Sequence, residues 1–474
     1  MDVDNFSNPG CYVLDFGIKG IQPQKIWIRA DYKLIYDELE GWFNVDPIGK
    51  APSAIVTGQP GIGKSIWIYY ALRRRLGEQK PIIWYYSEGC YLFVNEGVFK
   101  KPKDFLPVDF KQLVWTLVDS GTVPTPLVDQ GTRLFIIFTT SPNKTQWKDL
   151  NKSTRFTTCI MDPWTWQEML QLVSITNLSI DLATTIYDTY GPMPRLWIDL
   201  NEQQERTRYE SEVHTAINNM TSSKLEQLIA DTVSLTMDGV SCKLYLISRV
   251  DPVNPRSLHI IAPITHNIQS MLANHFRHCM ERLDVIRLYK KFAKIPESRK
   301  VAGMLFEAFG QQLLQENIML DMVPMVQLRS VPTGKPQLNS SHIFLVNPEL
   351  EASRQAALGR MSRLDVKPTR VVESGGTPPS VEEGIYYLPK KTNQVAIDSF
   401  IVSGGSLYLF QFTIGEHHDV KAGLKTFLEA CPGIPAEDNW CFVFIIPTDQ
   451  TVMCPQLPDA LRGIAVCSAA IAVE

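Results

Sequence analysis

Residues 53–76 read SAIVTGQPGIGKSIWIYYALRRRL, and this stretch decides the fold class of the first half of the chain. The apolar run 53–57 has strand character. Gly58, Gln59, Pro60, Gly61, Ile62, Gly63, Lys64 and Ser65 form a full GxxxxGK[ST] match, and an amphipathic helix pattern leaves it. In such a loop the glycines let successive backbone N–H groups turn inward on phosphate oxygens, where a helix N-terminus adds favourable potential. Lys64 brings a positive charge to the β- and γ-phosphates, and the Ser65 hydroxyl is a Mg²⁺ ligand. The alternative is a chance glycine turn between strand and helix, and the correct flanks on both sides argue against it. The expectation is a P-loop NTPase that binds ATP and Mg²⁺.

Outward from the loop, the runs KPIIWYYS, KQLVWTLVD, TRLFIIFTT and RFTTCIM alternate with helical patterns, the signature of a parallel α/β sheet. LVWTLVD places Asp119 at the end of an apolar run, where a Mg²⁺-ordering aspartate belongs. The plainer alternative is a strand-end turn residue, and Asp129 is a competing candidate. Ser120 follows Asp119, so a second, water-activating acid is missing and binding is better supported than fast hydrolysis. Thr139, Thr140 and Ser141 close the next strand as polar groups able to sense a γ-phosphate. YGPMPRLW supplies Gly191, Pro192, Pro194 and Arg195, a Gly-x-Pro turn opening a helix. It resembles the helical lid of AAA-type and signal-transduction (STAND-like) ATPases, in which Arg195 would touch the phosphates.

The 474 residues suit several domains, and 45% apolar with 20% charged residues is globular composition. Texture divides the chain into an N-terminal segment (1–48), the P-loop NTPase core (49–200), a mixed, mostly helical lid or connector (201–293) and a final α/β domain (294–474). No apolar run reaches the ~18–20 residues that span a bilayer, so no membrane is expected. No secretory leader is visible at the start, and nine cysteines are scattered without a CxxC pair. These features point to an intracellular protein, in nucleus or cytoplasm. A net charge of −4 neither requires nor excludes nucleic acid.

In the last domain, Glu307 lies on a helix pattern (VAGMLFEAFGQQLL), Asp398 on a strand pattern (NQVAIDSFIV), and Gln411 and Thr413 on the next strand (SLYLFQFTI). Helix-Glu, strand-Asp, then a hairpin to a ligand-bearing strand is the order of restriction-endonuclease-like nucleases. Their chemistry needs oxygen ligands around Mg²⁺ to polarise a phosphate and generate hydroxide. Asp398 would be the metal carboxylate and the Gln411 side-chain oxygen a neutral ligand. Thr413 stands where such nucleases carry lysine, with Lys421 or His418 as other groups able to approach. Taken singly, each residue has an ordinary reading as a buried paired acid, a turn residue or strand pattern. Upstream, Arg277, Arg282, Arg287, Lys290, Lys291, Lys294, Arg299 and Lys300 could neutralise DNA phosphates or simply form a solvated helix face. His275, His278 and Cys279 suggest a metal pair without a further ligand, so a structural role is preferred.

The loop stretch, the GPMPR segment, the Phe306-Glu307 helix and the IDSF…LFQFTIGEHHDVK ending together resemble the Crinkler–RHS family over residues 25–474. In that family of fungal, oomycete and trypanosome proteins a P-loop ATPase is joined to a restriction-endonuclease-like domain. The resemblance implies ATP use, Mg²⁺-dependent DNA cleavage and nuclear action. It implies phosphate and Mg²⁺ roles for Lys64 and Ser65, the Walker B role for Asp119, and catalytic roles for Glu307, Asp398, Gln411, Thr413 and His418. The ubiquitin-like header and LFLAK-type leader of secreted members do not occur here, so secretion and host targeting are not expected. Two readings stay open: an ATP-regulated nuclease, or a nucleotide-switch scaffold whose degenerate nuclease fold binds DNA or protein partners. A ring-forming motor would need an intersubunit arginine that the sequence does not identify. An oligomer is compatible with the sequence but not required by it.

Overall fold

The computed structural model describes residues 10–14, 24–43, 52–86, 89–101, 110, 113–119, 133–142, 147, 154–176, 179–234, 237, 239, 241–328, 344–346, 362–374, 378–389, 397–418, 420, 423–454, 457–461 and 463–474. They fall into two compact units, residues 1–216 with 227–264, and residues 217–226 with 265–474. Both are mixed α/β with parallel strand pairs. No helix among the described residues is long and apolar enough to cross a membrane.

The first unit is built on a seven-stranded sheet. Its spatial order is Gly97–Lys101, Gly89–Val94, Ile82–Tyr86, Val114–Asp119, Leu134–Thr139, Pro52–Thr57 and Arg155–Ile160. The last five are parallel, and the first two form an antiparallel hairpin added at the edge. Pro52–Thr57 and Leu134–Thr139 are buried along their whole length, which explains their unbroken apolar runs. Helix Lys64–Gly77 leaves the loop and buries Trp67, Ile68, Ala71 and Leu72 in the same core as Tyr32, Ile35, Tyr36 and Leu39 of helix Ala30–Phe43. Each such leucine or isoleucine contributes about 1.5–3 kcal/mol by leaving water. Parallel pairing brings Thr57, Asp119 and Thr139 to one end of the sheet, with the Leu134–Thr139 strand between the loop strand and the Asp119 strand. Beyond the sheet lie helices Ile180–Tyr190 and Pro194–Asp199, and the antiparallel hairpin Tyr245–Arg249/His259–Pro263.

An eight-stranded mixed sheet forms the second unit, in the order Ser362–Val366, Ile318–Pro324, Ala465–Ile471, Trp440–Pro447, Ser406–Phe412, Ser399–Ser403, Ile385–Pro389 and Arg370–Ser374. Ser399–Ser403 turns at Gly404–Gly405 into Ser406–Phe412, which runs parallel to Trp440–Pro447. Helix Arg299–Leu314 comes close to this sheet at Gly310, where a Cβ would collide with the Phe412 ring. Helices His266–Cys279 and Arg282–Ala293, which carry much of the basic run, belong to the same unit.

Candidate functional site

At the glycine loop the backbone is held from outside. Lys64 is buried, and its Nζ donates to the carbonyls of Gly58 and Gln59, each at 2.8 Å. Trp164 Nε1 donates to Ile62 O at 2.8 Å, and the Tyr32 hydroxyl donates to Gly63 O at 2.9 Å. Gly61 and Gly63 have φ of 83° and 105°, in the left-handed region that favours glycine. A Cβ on Gly63 would collide with the Tyr32 hydroxyl, and one on Gly61 would lie 3.0 Å from Arg195 Cβ. The carbonyls of Gly58, Gln59, Ile62 and Gly63 are thus each engaged by a side-chain donor.

The predicted phosphate and Mg²⁺ residues come together here. Ser65 Oγ donates to Asp119 Oδ1 at 3.1 Å, and Thr139 Oγ1 donates to the same oxygen at 3.0 Å from the intervening strand. A hydroxyl and a carboxylate beside a loop with glycine-only corners form a hard oxygen donor set that fits Mg²⁺ with a phosphate chain. Arg195, exposed at the start of helix Pro194–Asp199, lays its stem against Gly61. Burial lowers the Lys64 ammonium to about 8, so it carries its charge at neutral pH. Asp129, the competing acid, lies outside the described residues.

A buried ionic frame, which the sequence did not single out, stands behind the loop. Arg29 donates to Glu168 through Nε (2.8 Å) and Nη2 (3.1 Å), and to the carbonyls of Asp162 and Pro163. Arg249 pairs with Asp31 and with Asp162 (3.1 Å), and its backbone N–H donates to Asp162 Oδ1 at 2.8 Å. These partners lie far apart in sequence, so no local motif marks them.

In the second unit, Glu307, Asp398 and Gln411 are all buried. Asp398 sits immediately before strand Ser399–Ser403, one step outside the expected strand position, and its Oδ2 accepts from Gln411 Nε2 and from the Phe412 backbone N–H, both at 2.7 Å. Gln411 thus turns its amide nitrogen, not the expected oxygen, toward Asp398. Glu307 Oε2 accepts from Gln269 Nε2 at 3.4 Å and Oε1 from Gln311 Nε2 at 3.3 Å. Burial pushes Asp398 up to about 7 against those two donors, and burial plus the Asp398 charge pushes Glu307 well above the usual carboxylate range. Two buried acids, of which Asp398 disfavours ionisation of Glu307, with amide donors on both, have the hard oxygen chemistry that fits a divalent cation as the neutralising partner. Glu307 and Asp398 form a pair: among the described residues no three His, Cys, Asp or Glu gather as a metal site.

Thr413 and His418 are engaged elsewhere. Thr413 Oγ1 accepts from Gly415 N–H at 3.0 Å in a local turn, and the His418 ring lies 5.8 Å from the Phe444 ring. Lys421 lies outside the described residues. Gln269 and Gln311 were missed, although Gln311 stands four residues after Glu307, the spacing of helix neighbours. His275 bonds Met220 O and His278 bonds Glu373, so neither needs a metal. Of the basic run, Arg277 pairs with Glu373, Arg282 with Glu316, and Arg287 and Lys291 with Glu226. Lys290, Lys294, Arg299 and Lys300 are exposed.

No protein-family model matches the chain. Crinkler effector protein 16 of Phytophthora infestans is 22% identical over 455 residues, which cover 94% of this chain and 66% of that protein. The chain is a distant relative of Crinkler effector proteins. Crinkler effector protein 15 of the same organism is likewise 22% identical, over 450 residues and the same shares. This chain therefore spans about two thirds of the length of the Crinkler proteins it matches.

Proposed function

We propose that this chain binds ATP with Mg²⁺ at the 58–65 loop, as a P-loop NTPase of AAA/STAND-like type, and couples nucleotide state to a nuclease-like centre acting on DNA. The observation that carries the nucleotide reading is the convergence of Ser65 and Thr139 on one oxygen of Asp119, beside the loop that holds Lys64. Bound Mg²⁺ would supply charge neutralisation to the phosphate chain. Lys64 would exchange its two carbonyl acceptors for phosphate oxygens, Ser65 and Asp119 would supply metal ligands, and Thr139 and Arg195 would be the polar groups nearest the phosphates. No second acid follows Asp119, so hydrolysis is slow.

Glu307 and Asp398 would hold a second Mg²⁺, which would supply Lewis-acid activation of a scissile phosphate. Because burial raises the proton affinity of both carboxyls, a cation held there would displace protons from them. A second reading is favoured by Thr413, which stands where a lysine is usual and donates no charge: a nucleotide-switch scaffold that binds DNA or a protein partner without cutting. The relatives' description as effector proteins is compatible with either. Purified protein incubated with plasmid and Mg²⁺, with and without ATP, separates the two. Cleavage lost in Asp398→Ala supports the nuclease, and DNA retention without cleavage supports the scaffold.

A further inference from the structure

Gln59 has a fully buried side chain whose carboxamide leaves the loop altogether. Its Nε2 donates to Cys242 O at 2.6 Å and Tyr245 O at 3.0 Å, and its Oε1 accepts from Ile247 N–H at 3.4 Å. One side chain thus satisfies three backbone groups where the Tyr245–Arg249 strand begins. Buried backbone groups left without partners are costly, so this strand is fixed to the loop through Gln59. The same hairpin is held at Arg249 by Asp31 and Asp162, and at Pro255, whose carbonyl accepts from Ile160 N–H at 2.8 Å. At its far end Ile264 fills the space over Gly191, where a Cβ would collide with it, next to the turn that leads to Arg195.

The backbone carbonyl of Gln59 is one of the two acceptors of Lys64. Phosphate binding and hairpin attachment therefore meet in one residue. We propose that Gln59 is a positioning residue that couples occupancy of the phosphate loop to the Tyr245–Pro263 hairpin, a role that rests on the nucleotide reading above. When the Lys64 ammonium turns to phosphate, the Gly58 and Gln59 carbonyls lose a charged donor and the loop settles around the anion. The Gln59 carboxamide carries that change to residues 242–247.

Amide hydrogen exchange on the full chain tests this, with and without Mg²⁺ and ATP at a concentration saturating for each protein by direct titration. Exchange in Tyr245–Arg249 and His259–Pro263 is expected to slow about fivefold or more with ATP, as expected of local opening that a ligand suppresses. The hairpin Gly89–Val94/Gly97–Lys101, in the same unit but tied to the sheet edge, is expected to change little. In Gln59→Met, which keeps side-chain volume and removes all three bonds, the slowing is lost although ATP is bound. No slowing in the wild type, equal slowing of both hairpins, or slowing retained in Gln59→Met overturns the coupling. If Gln59→Met does not fold, the contrast between the two wild-type hairpins decides alone. Failure of the wild type to bind ATP in the titration would remove the nucleotide reading itself, a result distinct from binding without hairpin protection.

Discussion

Lys64→Ala is the sharpest perturbation of the loop. Lys64 Nζ now makes two 2.8 Å bonds to loop carbonyls from a buried position, and a bound triphosphate would replace those acceptors with anionic oxygens. A hydrogen bond involving a charged group is worth about 1.5–3 kcal/mol net, so losing the ammonium should cost at least about 2 kcal/mol, or ~30-fold in Kd. The wild type should also lose affinity as pH rises through about 8, where the Lys64 ammonium, lowered by burial, gives up its proton. The sign follows from chemistry: only the protonated form attracts phosphate, and the triphosphate is already fully ionised there. Lys64→Ala should be flat across the same range. Titration with a fluorescent ATP analogue, pH 6.5 to 9.5, measures both effects, with thermal melts to establish that the variant is folded. Equal affinity in a folded Lys64→Ala protein would refute the assignment of the loop, and an unchanged wild-type affinity above pH 8 would refute the role of the ammonium.

Asp119→Asn should reduce ATP affinity about tenfold in Mg²⁺ and little in EDTA, because only the metal-linked part is lost; equal loss in both media would exclude a metal role. Gly63→Ala should cost at least ~1–3 kcal/mol from its left-handed backbone alone, and less in a Tyr32→Phe background, where the colliding hydroxyl is gone; denaturant melts of the four proteins give the coupling. Asp398 has a folded value near 7 against an ordinary 3.8, so without a cation the wild type should lose stability as pH rises from about 4 to about 7. Asp398→Asn should lose that part of the slope in pH-dependent melts, and an unchanged slope would contradict burial of a protonated acid. Thr413→Lys should increase Mg²⁺-dependent plasmid nicking if a missing cation limits the second centre; no change would favour the scaffold reading.

The α/β class is legible because fully buried parallel strands leave unbroken apolar runs, as in LFIIFT at 134–139. The glycine loop is legible because its geometry is local: eight consecutive residues set both the φ angles and the helix start. Asp119 could be read from its place at a strand end, but its meeting with Thr139 depends on strand order, which no local pattern encodes. The clamps on the loop are less visible still. Tyr32, Trp164 and Gln59 act across separations of 31, 102 and more than 180 residues, and each looks like ordinary core or turn pattern in isolation.

In the second half, the order Glu307, Asp398, Gln411 is readable, whereas amide orientation and the donors on Glu307 come from helix packing. Basic residues at 277–291 show how charge counting misleads, because Glu226, Glu316 and Glu373 neutralise much of that run from elsewhere. Texture places a change at 293, while the compact second unit takes in residues from 265 onward. Amphipathic helices there carry no mark of which core they join.

Equilibrium dialysis of purified full chain against radiolabelled ATP, with millimolar Mg²⁺, tests the central claim most directly. Saturation at one ATP per chain, competed by unlabelled ATP, is the expected result. Absence of saturable binding by a folded protein at millimolar ATP would contradict it.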